Sequence, residues 1–406
     1  MYQHILKLAA CQTRWAAAAA VLVLSACGGG AHPQADTLPE APVSQAATGL
    51  ATASRYPAAV AVQVSADDIK VSVAGVARVG GAALRADDAM PLGSITKSMT
   101  ATLAGLLVQD GQLGWDSRLL DLLPELRATA RAEYQSVTLR DLLAHRSGLY
   151  SGTSLESTVT LPAFAGDAPA QRLAFVAWAL SRAPEVAPGS GFAYSNGGYV
   201  AVAAMLERVT GGRYEQLMQE RLFQPLGIRA SFGAPGCCSA SEALGHLLTE
   251  DSRWLPLDPA LGQAQFPAFA YPAGAVKTNG AGLGRFLQMH LRALQGRPGE
   301  LLTPATARAL HAPDQDGVAL GWLKGQDPAN RALSWHDGSD DISYFALQAL
   351  DATRDRAGAV LVNGYKASVG EDGAAALAGL LRNPVWSGSS QTGWTATADL
   401  LTGVAE

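Results

Sequence analysis

The stretch PLGSITKSMTATLAGLLVQDG, at residues 91–111, contains a turn followed by the pattern of a buried helix. Pro91 and Gly93 are turn-forming residues. Apolar side chains then recur at helical spacing, at Met99, Leu103, Leu106 and Leu107. We therefore predict a helix that begins near Ser94 and buries one face against a core.

Ser94 and Lys97 are three residues apart in this predicted helix. Residues at that spacing share a helix face, so the Lys97 amine is expected to lie beside the Ser94 hydroxyl. A serine near a helix N-terminus is also placed where the backbone dipole favours developing negative charge. These features suit an activated serine nucleophile, although an ordinary capped helix would show the same tetrapeptide.

Two further short motifs follow in the chain. Tyr194-Ser195-Asn196 lies in PGSGFAYSNGGYVAVAAMLERV, at residues 188–209. His336-Asp337-Gly338-Ser339 lies in LSWHDGSDDISYFALQAL, at residues 333–350. Each motif alone also has an ordinary, non-catalytic explanation, such as a packed aromatic residue or a turn. Three motifs in this order are much harder to obtain by chance.

With these three motifs the chain resembles the serine β-lactamase and penicillin-recognising family, in the branch with S-x-x-K, Y-x-N and H-x-G boxes. That branch contains class C β-lactamases, D-alanyl-D-alanine carboxypeptidases, D-aminopeptidases and family VIII esterases. The resemblance covers about residues 56–381, including VTLRDLLAHRSGL at 137–149 and RLFQPLGI at 221–228. It implies an α+β fold of the β-lactamase/transpeptidase type.

Chemistry and the resemblance together predict a role for each motif. Ser94 attacks a carbonyl and forms an acyl-enzyme. Lys97 and Tyr194 transfer the proton, and which of them is the base in acylation is left open. A cation near the phenol is expected to lower the Tyr194 pKa, and partial burial is expected to lower the Lys97 pKa. Asn196 is expected to point into the cleft and hold Lys97 or the substrate amide. The resemblance assigns the oxyanion hole to the backbone N–H groups of Ser94 and Ser339.

The third motif bears on the substrate. Many β-lactamases have K-T-G here, whereas this chain has His336, Asp337 and Gly338, which with Ser339 are predicted to bind substrate. Histidine titrates near neutrality, so its positive charge is expected to be conditional. Asp337, with Asp340 and Asp341 behind it, weakens recognition of a carboxylate if it faces the cleft. Strand alternation would turn Asp337 away and remove that objection.

Three functions remain open at this point. The first is a serine hydrolase acting on D-amino-acid peptides or related amides, like a D-alanyl-D-alanine carboxypeptidase, with a small-molecule or peptide substrate that derives from the cell wall. The second is an esterase of the same fold, with weak class C-like β-lactamase activity as a secondary alternative. The least expected is a non-catalytic, lipid-anchored binding protein.

Composition restricts the partners and cofactors. With 48% hydrophobic and 16% charged residues the chain is typical of a globular enzyme. A net charge of -5 without a basic stripe makes nucleic acid an unexpected partner. No cofactor and no metal are expected, and the oligomeric state is left open. Cys237 and Cys238 are expected to be two loop thiols, with a strained disulfide between neighbours as the alternative.

The first predicted segment of the chain is a targeting signal. Residues 1–26 are expected to be a lipoprotein signal peptide, with lipid on Cys27, although a plain secretory signal would leave that cysteine incidental. Residues 27–53 are predicted to be a flexible tether, 54–382 the hydrolase domain and 383–406 a C-terminal tail. The protein is therefore expected in a bacterial cell envelope, anchored through Cys27 and facing the periplasm, at the outer membrane rather than the inner one.

Patterning also predicts the architecture. Strand-like segments occur near both chain ends, at 58–64, 71–79, 318–325, 331–338, 342–350 and 358–363. Helical patterns dominate between them, which predicts an antiparallel sheet flanked by helices, with an all-helical insertion at about 111–270. The remaining histidines, His145 among them, are expected to be structural or exposed. Lys277 and Lys324 are expected to be surface charges.

Overall fold

The computed structural model describes residues 39–152, 161–234, 236, 242–258, 266–326 and 332–381. The predicted signal peptide, Cys27, Cys237, Cys238 and residues 382–406 lie outside these ranges, so the predictions about them stay predictions. Within the described ranges, no helix is long and apolar enough to cross a membrane. Nor do three or more described His, Cys, Asp or Glu side chains gather in a group that would hold a metal ion.

The strands, in chain order, are β1 Ala58–Val64, β2 Ile69–Gly75, β3 Met90–Pro91, β4 Ala230–Phe232, β5 His246–Leu248, β6 Trp254–Pro256, β7 Val276–Thr278, β8 Leu323–Gln326, β9 Ala332–Ser339, β10 Phe345–Asp351 and β11 Arg356–Val362. Six of them form the main sheet in the order β2-β1-β11-β10-β9-β8. Every neighbouring pair in it is antiparallel. The sheet therefore combines strands from both ends of the described chain, as predicted.

Side chains of the central strands alternate between two hydrophobic cores. Val60 and Leu361 lie in the larger core, which also contains the apolar side of the Ser94 helix. Ala61 and Val360 point to the opposite face and lie in a smaller core. Successive strand residues face opposite sides of a sheet, so both faces of this one are covered.

The helices are α1 Glu40–Thr52, α2 Thr96–Gln109, α3 Leu119–Leu122, α4 Leu139–Leu143, α5 Ala168–Leu180, α6 Asn196–Thr210, α7 Tyr214–Met218, α8 Tyr271–Gly274, α9 Gly280–Leu294, α10 Pro304–His311 and α11 Val369–Leu381. One layer, α1 and α11, covers the smaller core, while α9 packs on the other face of β1, β2 and β11. The α+β prediction is confirmed. The inserted region is not all-helical, because β4, β5 and β6 lie within it.

The predicted tether at 27–53 is wrong for residues 40–52, which form α1. Val43, Ala47 and Leu50 are buried and belong to the smaller core. Their spacing of four and then three residues places them on one helix face, against the sheet. The small residues between them hide this apolar stripe in the sequence pattern. The alanines nevertheless favour a helix, because alanine has the highest helix propensity.

A buried chain of hydrogen bonds connects two histidines to helix α2. His290 Nε2 lies 2.9 Å from Thr102 Oγ1, and His311 Nε2 lies 3.0 Å from His290 Nδ1. His311 Nδ1 lies 2.8 Å from Ser334 Oγ, to which Lys324 donates. Because Thr102 donates to Ser98 O, His290 Nε2 donates to Thr102 Oγ1. Burial disfavours the charged form of both rings, and in the neutral form each ring donates through Nε2 and accepts at Nδ1.

This network predicts a stability that falls in acid. Burial lowers the pKa of His290 to about 3 and that of His311 well below its ordinary value. Below about pH 6.5 the unfolded chain therefore binds protons that the folded rings do not. The free energy of unfolding is expected to fall by as much as about 1.4 kcal/mol per pH unit for each ring.

Urea unfolding at pH 7, 6 and 5 measures this slope. His290→Gln, which retains a donor and an acceptor but does not titrate, is expected to flatten the pH dependence by the contribution of one ring. An equal slope in the variant and the natural protein would contradict the prediction.

Candidate active site

Ser94 lies at the turn where the chain enters helix α2. Residues Gly93–Ile95 form a 3-10 helix that continues directly into α2, and Gly93 has a φ of 52°. This left-handed conformation favours glycine. The apolar residues predicted to face the core, such as Met99 and Leu103, are buried. Ser94 is thereby held by a rigid element close to the helix N-terminus.

The structure brings the first two predicted motifs together around one oxygen atom. Lys97 Nζ lies 2.8 Å from Ser94 Oγ. The Tyr194 hydroxyl, in the segment before α6, donates to the same oxygen at 2.7 Å. A fourth group, the carbonyl of Ala273 in α8, accepts a hydrogen bond from Lys97 Nζ at 2.6 Å. Sequence patterns carry no signal for Ala273, because the contact uses only its backbone.

Burial determines the charge states of this cluster. Lys97 is fully buried, and desolvation lowers the pKa of its amine well below the ordinary value, with only partial opposition from Asp337. A lowered pKa favours the neutral amine, and in that form the nitrogen has a lone pair to accept the Ser94 proton. Burial raises the pKa of Tyr194, so the predicted lowering by a nearby cation is wrong. The phenol therefore stays protonated and donates to Ser94 Oγ.

Strand β9 places the third motif directly against Ser94. A Cβ atom at Gly338 would lie 2.4 Å from the Ser94 nitrogen and 2.2 Å from the Leu92 carbonyl oxygen. Likewise, a Cβ atom at Gly93 would lie 2.5 Å from the Ser339 nitrogen. The backbones at 93–94 and 338–339 are therefore in direct contact. This contact brings the two peptide nitrogens of the predicted oxyanion hole next to the nucleophile.

Gly338→Ala is expected to lower the rate at which a fluorophosphonate labels Ser94 by at least about 100-fold, because an added methyl separates the two oxyanion donors. The labelling rate is measured by intact mass. A matched control is Gly379→Ala in α11, where an added Cβ meets nothing within 4 Å. That variant is expected to react at the natural rate, and equal rates for both substitutions would rule out the tight contact.

His336 supplies no positive charge to the cleft. It is buried, and its Nδ1 donates to the Asp337 carbonyl oxygen at 2.6 Å. Burial lowers the pKa of His336 to about 3, so the expected titration near neutrality is wrong. Burial also raises the pKa of Asp337 to about 6. The position that holds a lysine in K-T-G is here occupied by a neutral ring.

Asn196 is the first residue of α6 and does not contact Lys97 by a hydrogen bond. Its side-chain nitrogen donates to Gly152 O at 3.2 Å, and its backbone nitrogen donates to Ser151 O at 2.9 Å. Asn196 therefore ties the start of α6 to the loop at 150–152. A role in holding the substrate amide stays a prediction.

One of the expected surface lysines is instead buried next to this region. Lys277, in β7, has a side chain that is 1% exposed and lies 2.8 Å from a Glu242 oxygen. Strand β7 pairs with β3, which leads into the turn at Gly93. A charge this deeply buried requires a partner, and Glu242 provides one. The sequence contains no periodic signal that identifies such a pair.

Comparisons with known proteins agree with this arrangement. A family model described as Beta-lactamase matches residues 43–381. Penicillin-binding protein 4 of Amycolatopsis lactamdurans is 29% identical over 66% of this chain and 70% of its own length. Esterase EstB of Burkholderia gladioli is 30% identical over 64% of this chain and 73% of its own length. The structure of a D-stereospecific amidohydrolase from Streptomyces sp. aligns with a TM-score of 0.66 and 23% identity, over 84% of this chain and 98% of that one.

Proposed function

Since the chain belongs to the beta-lactamase family and is a serine hydrolase, we propose that it cleaves D-amino-acid peptides or related amides through an acyl-enzyme on Ser94. One observation carries this proposal. Ser94 Oγ lies within hydrogen-bond distance of both a buried lysine amine and a tyrosine hydroxyl, at 2.8 and 2.7 Å. A serine oxygen between an acceptor and a donor is equipped for nucleophilic attack.

The proposed reaction begins with transfer of the Ser94 proton to the neutral Lys97 amine. The serine oxygen then bonds to the substrate carbonyl carbon, and the carbonyl oxygen takes up the negative charge between the Ser94 and Ser339 N–H groups. As the intermediate collapses, the leaving nitrogen takes the Tyr194 proton. The protonated Lys97, 4.9 Å from the centre of the Tyr194 ring, restores that proton.

Support for an amide substrate comes from the relatives. One relative is named as a penicillin-binding protein, and one solved neighbour is a D-stereospecific amidohydrolase. The short distances around Ser94 argue against a purely non-catalytic binding role. We further propose an envelope location with lipid on Cys27, on the sequence of residues 1–27 alone.

An esterase is the second candidate, and one observation favours it. The third motif contributes a neutral His336 and an acidic Asp337, so no cation is present there to pair with a substrate carboxylate. Small esters have no such carboxylate. One relative is itself named as an esterase. The same argument makes β-lactamase activity a weak secondary expectation, because penicillins are carboxylates.

Three probes distinguish these candidates: a peptide ending in D-Ala-D-Ala, a p-nitrophenyl ester and benzylpenicillin. The amide proposal predicts release of D-alanine, and a penicillin adduct on Ser94 by intact mass that is absent from Ser94→Ala. If the ester is cleaved rapidly while no D-alanine is released and no penicillin adduct forms, the protein is an esterase rather than an amidohydrolase. Rapid loss of penicillin without a lasting adduct would indicate a β-lactamase.

A further inference from the structure

His145 lies outside the three motifs, and no step of the proposed reaction uses it. It follows helix α4 and has a φ of 55°, a left-handed conformation that is uncommon for residues other than glycine. Its side chain is buried. The backbone strain at a buried polar residue close to the nucleophile is the reason to ask what this ring does.

Two hydrogen bonds connect His145 to the residues on either side of Tyr194. The His145 carbonyl accepts from Ala193 N at 2.8 Å. Its Nδ1 accepts from Ser195 N at 3.0 Å. The imidazole also stacks on the Tyr194 ring, with centroids 4.4 Å apart and an angle of 21° between the planes. One residue thus holds both flanking peptide groups and one face of the phenol.

The contact requires a neutral ring in one tautomer. Because Nδ1 accepts the Ser195 N–H, the ring proton is on Nε2. Burial lowers the pKa of His145 well below its ordinary value. Nε2 is buried and has no hydrogen-bond partner in the described part of the chain. A buried donor without a partner is costly, so packing alone does not explain a histidine at this position.

The remaining bonds of Ser195 complete the restraint on Tyr194. Ser195 Oγ donates to Tyr150 O at 3.0 Å and accepts from Gly198 N at 2.9 Å, which caps helix α6. The segment before α6 is therefore connected to the loop after α4 through Ala193 N, Ser195 N and Ser195 Oγ. The orientation of Tyr194 depends on that connection.

We propose that His145 is a positioning residue, which holds the Tyr194 hydroxyl against Ser94 by fixing the peptide groups on both sides of Tyr194. This inference rests on the proposed acyl-enzyme chemistry at Ser94. In the described part of the chain, His145 makes no hydrogen bond to Ser94 or Lys97; it accepts instead from Ala193 N and Ser195 N. Its effect on the reaction passes through Tyr194.

A double-mutant cycle between His145 and Tyr194 tests this role in the full chain. His145→Gly removes the ring and relieves the left-handed backbone. His145→Asn keeps an acceptor at the position of Nδ1 and tolerates the same backbone. The readout is the rate at which benzylpenicillin labels Ser94, because opening of its lactam amide generates a leaving nitrogen that takes the Tyr194 proton. Thermal unfolding of each variant verifies that it is folded.

We expect His145→Gly to slow labelling by about 100-fold, because small displacements of a catalytic group are costly, and His145→Asn to recover most of that loss. In a Tyr194→Phe background, His145→Gly is expected to change the rate by less than about threefold. If the glycine variant lacks a cooperative transition, His145→Leu replaces it, because leucine fills the space without an acceptor.

The outcomes separate this inference from the proposed function. Two results would overturn the positioning role of His145 but leave the catalytic role of Tyr194 intact. One is that His145→Gly slows labelling as much in the Tyr194→Phe background as in the natural protein. The other is that His145→Asn does not restore the labelling rate. A Tyr194→Phe protein that is labelled at the natural rate would overturn both the role of Tyr194 and the inference. A non-additive cycle with asparagine rescue supports the inference.

Discussion

Ser94→Ala is expected to lower kcat/KM by at least about 10⁴-fold and to abolish every covalent adduct with penicillin, esters or fluorophosphonates. The reason is that, among the residues that the structure describes, only the Ser94 hydroxyl joins the Lys97 amine to the Tyr194 hydroxyl. Intact mass gives the adduct directly, and initial rates give the loss of turnover. Stability is expected to change little, because only one oxygen atom is removed.

Ser98→Ala provides the matched control for this prediction. Ser98 is a buried serine on the next turn of α2 and donates to Gly321 O at 2.7 Å, away from the reacting oxygen. Its loss is expected to cost about 1 kcal/mol of stability and to leave labelling within a few-fold. An adduct that forms on Ser94→Ala, or disappears in Ser98→Ala, would assign the nucleophile to a different residue.

Lys97→Met is expected to lower the acylation rate by about 10³-fold, which is the range for removal of a general base. Lys97→Arg is expected to be equally inactive, because a guanidinium stays protonated and has no lone pair to accept the Ser94 proton. Pre-steady-state release of p-nitrophenolate measures acylation separately from hydrolysis. Substantial activity in the arginine variant would show that a positive charge, rather than a neutral amine, is what the site needs.

The free energy of unfolding provides an independent test of the Lys97 charge. The folded amine has a lowered pKa, so between that pKa and about pH 10.5 the unfolded chain binds a proton that the folded amine does not. Lys97→Met is therefore expected to raise the free energy of unfolding at pH 7 while it removes activity. Lys324→Met, at a lysine that donates to Ser334 Oγ, is the control and is expected to keep activity within a few-fold.

The sequence predicted the catalytic cluster better than it predicted the surroundings. Spacing of three residues was enough to place Lys97 beside Ser94, because helix geometry is local. The meeting of Tyr194 with Ser94 was expected only from the resemblance, since 100 residues separate them. Helix α1 was missed because its apolar stripe of Val43, Ala47 and Leu50 is short and surrounded by small residues.

The predicted charges were less accurate than the predicted positions. His336 was expected to titrate near neutrality, and Tyr194 was expected to have a lowered pKa. The first expectation used the ordinary pKa of histidine, and the second assumed a positively charged lysine beside the phenol. Burial reverses them, since desolvation disfavours the charged form of each group. The burial of each comes from residues distant in sequence, which no short motif contains.

By itself, the sequence determined the α+β architecture, the strand segments at both ends and the identity of the three motifs, because periodicity and spacing are properties of neighbouring residues. Tertiary structure alone decided the complete burial of Lys97, the neutral state of His336, the Ala273 carbonyl that holds the lysine, and the bonds of His145 around Tyr194. Those features depend on which backbone groups lie next to an atom and on how deeply the atom is buried. Such surroundings exist only once the sheet and the helices have packed together.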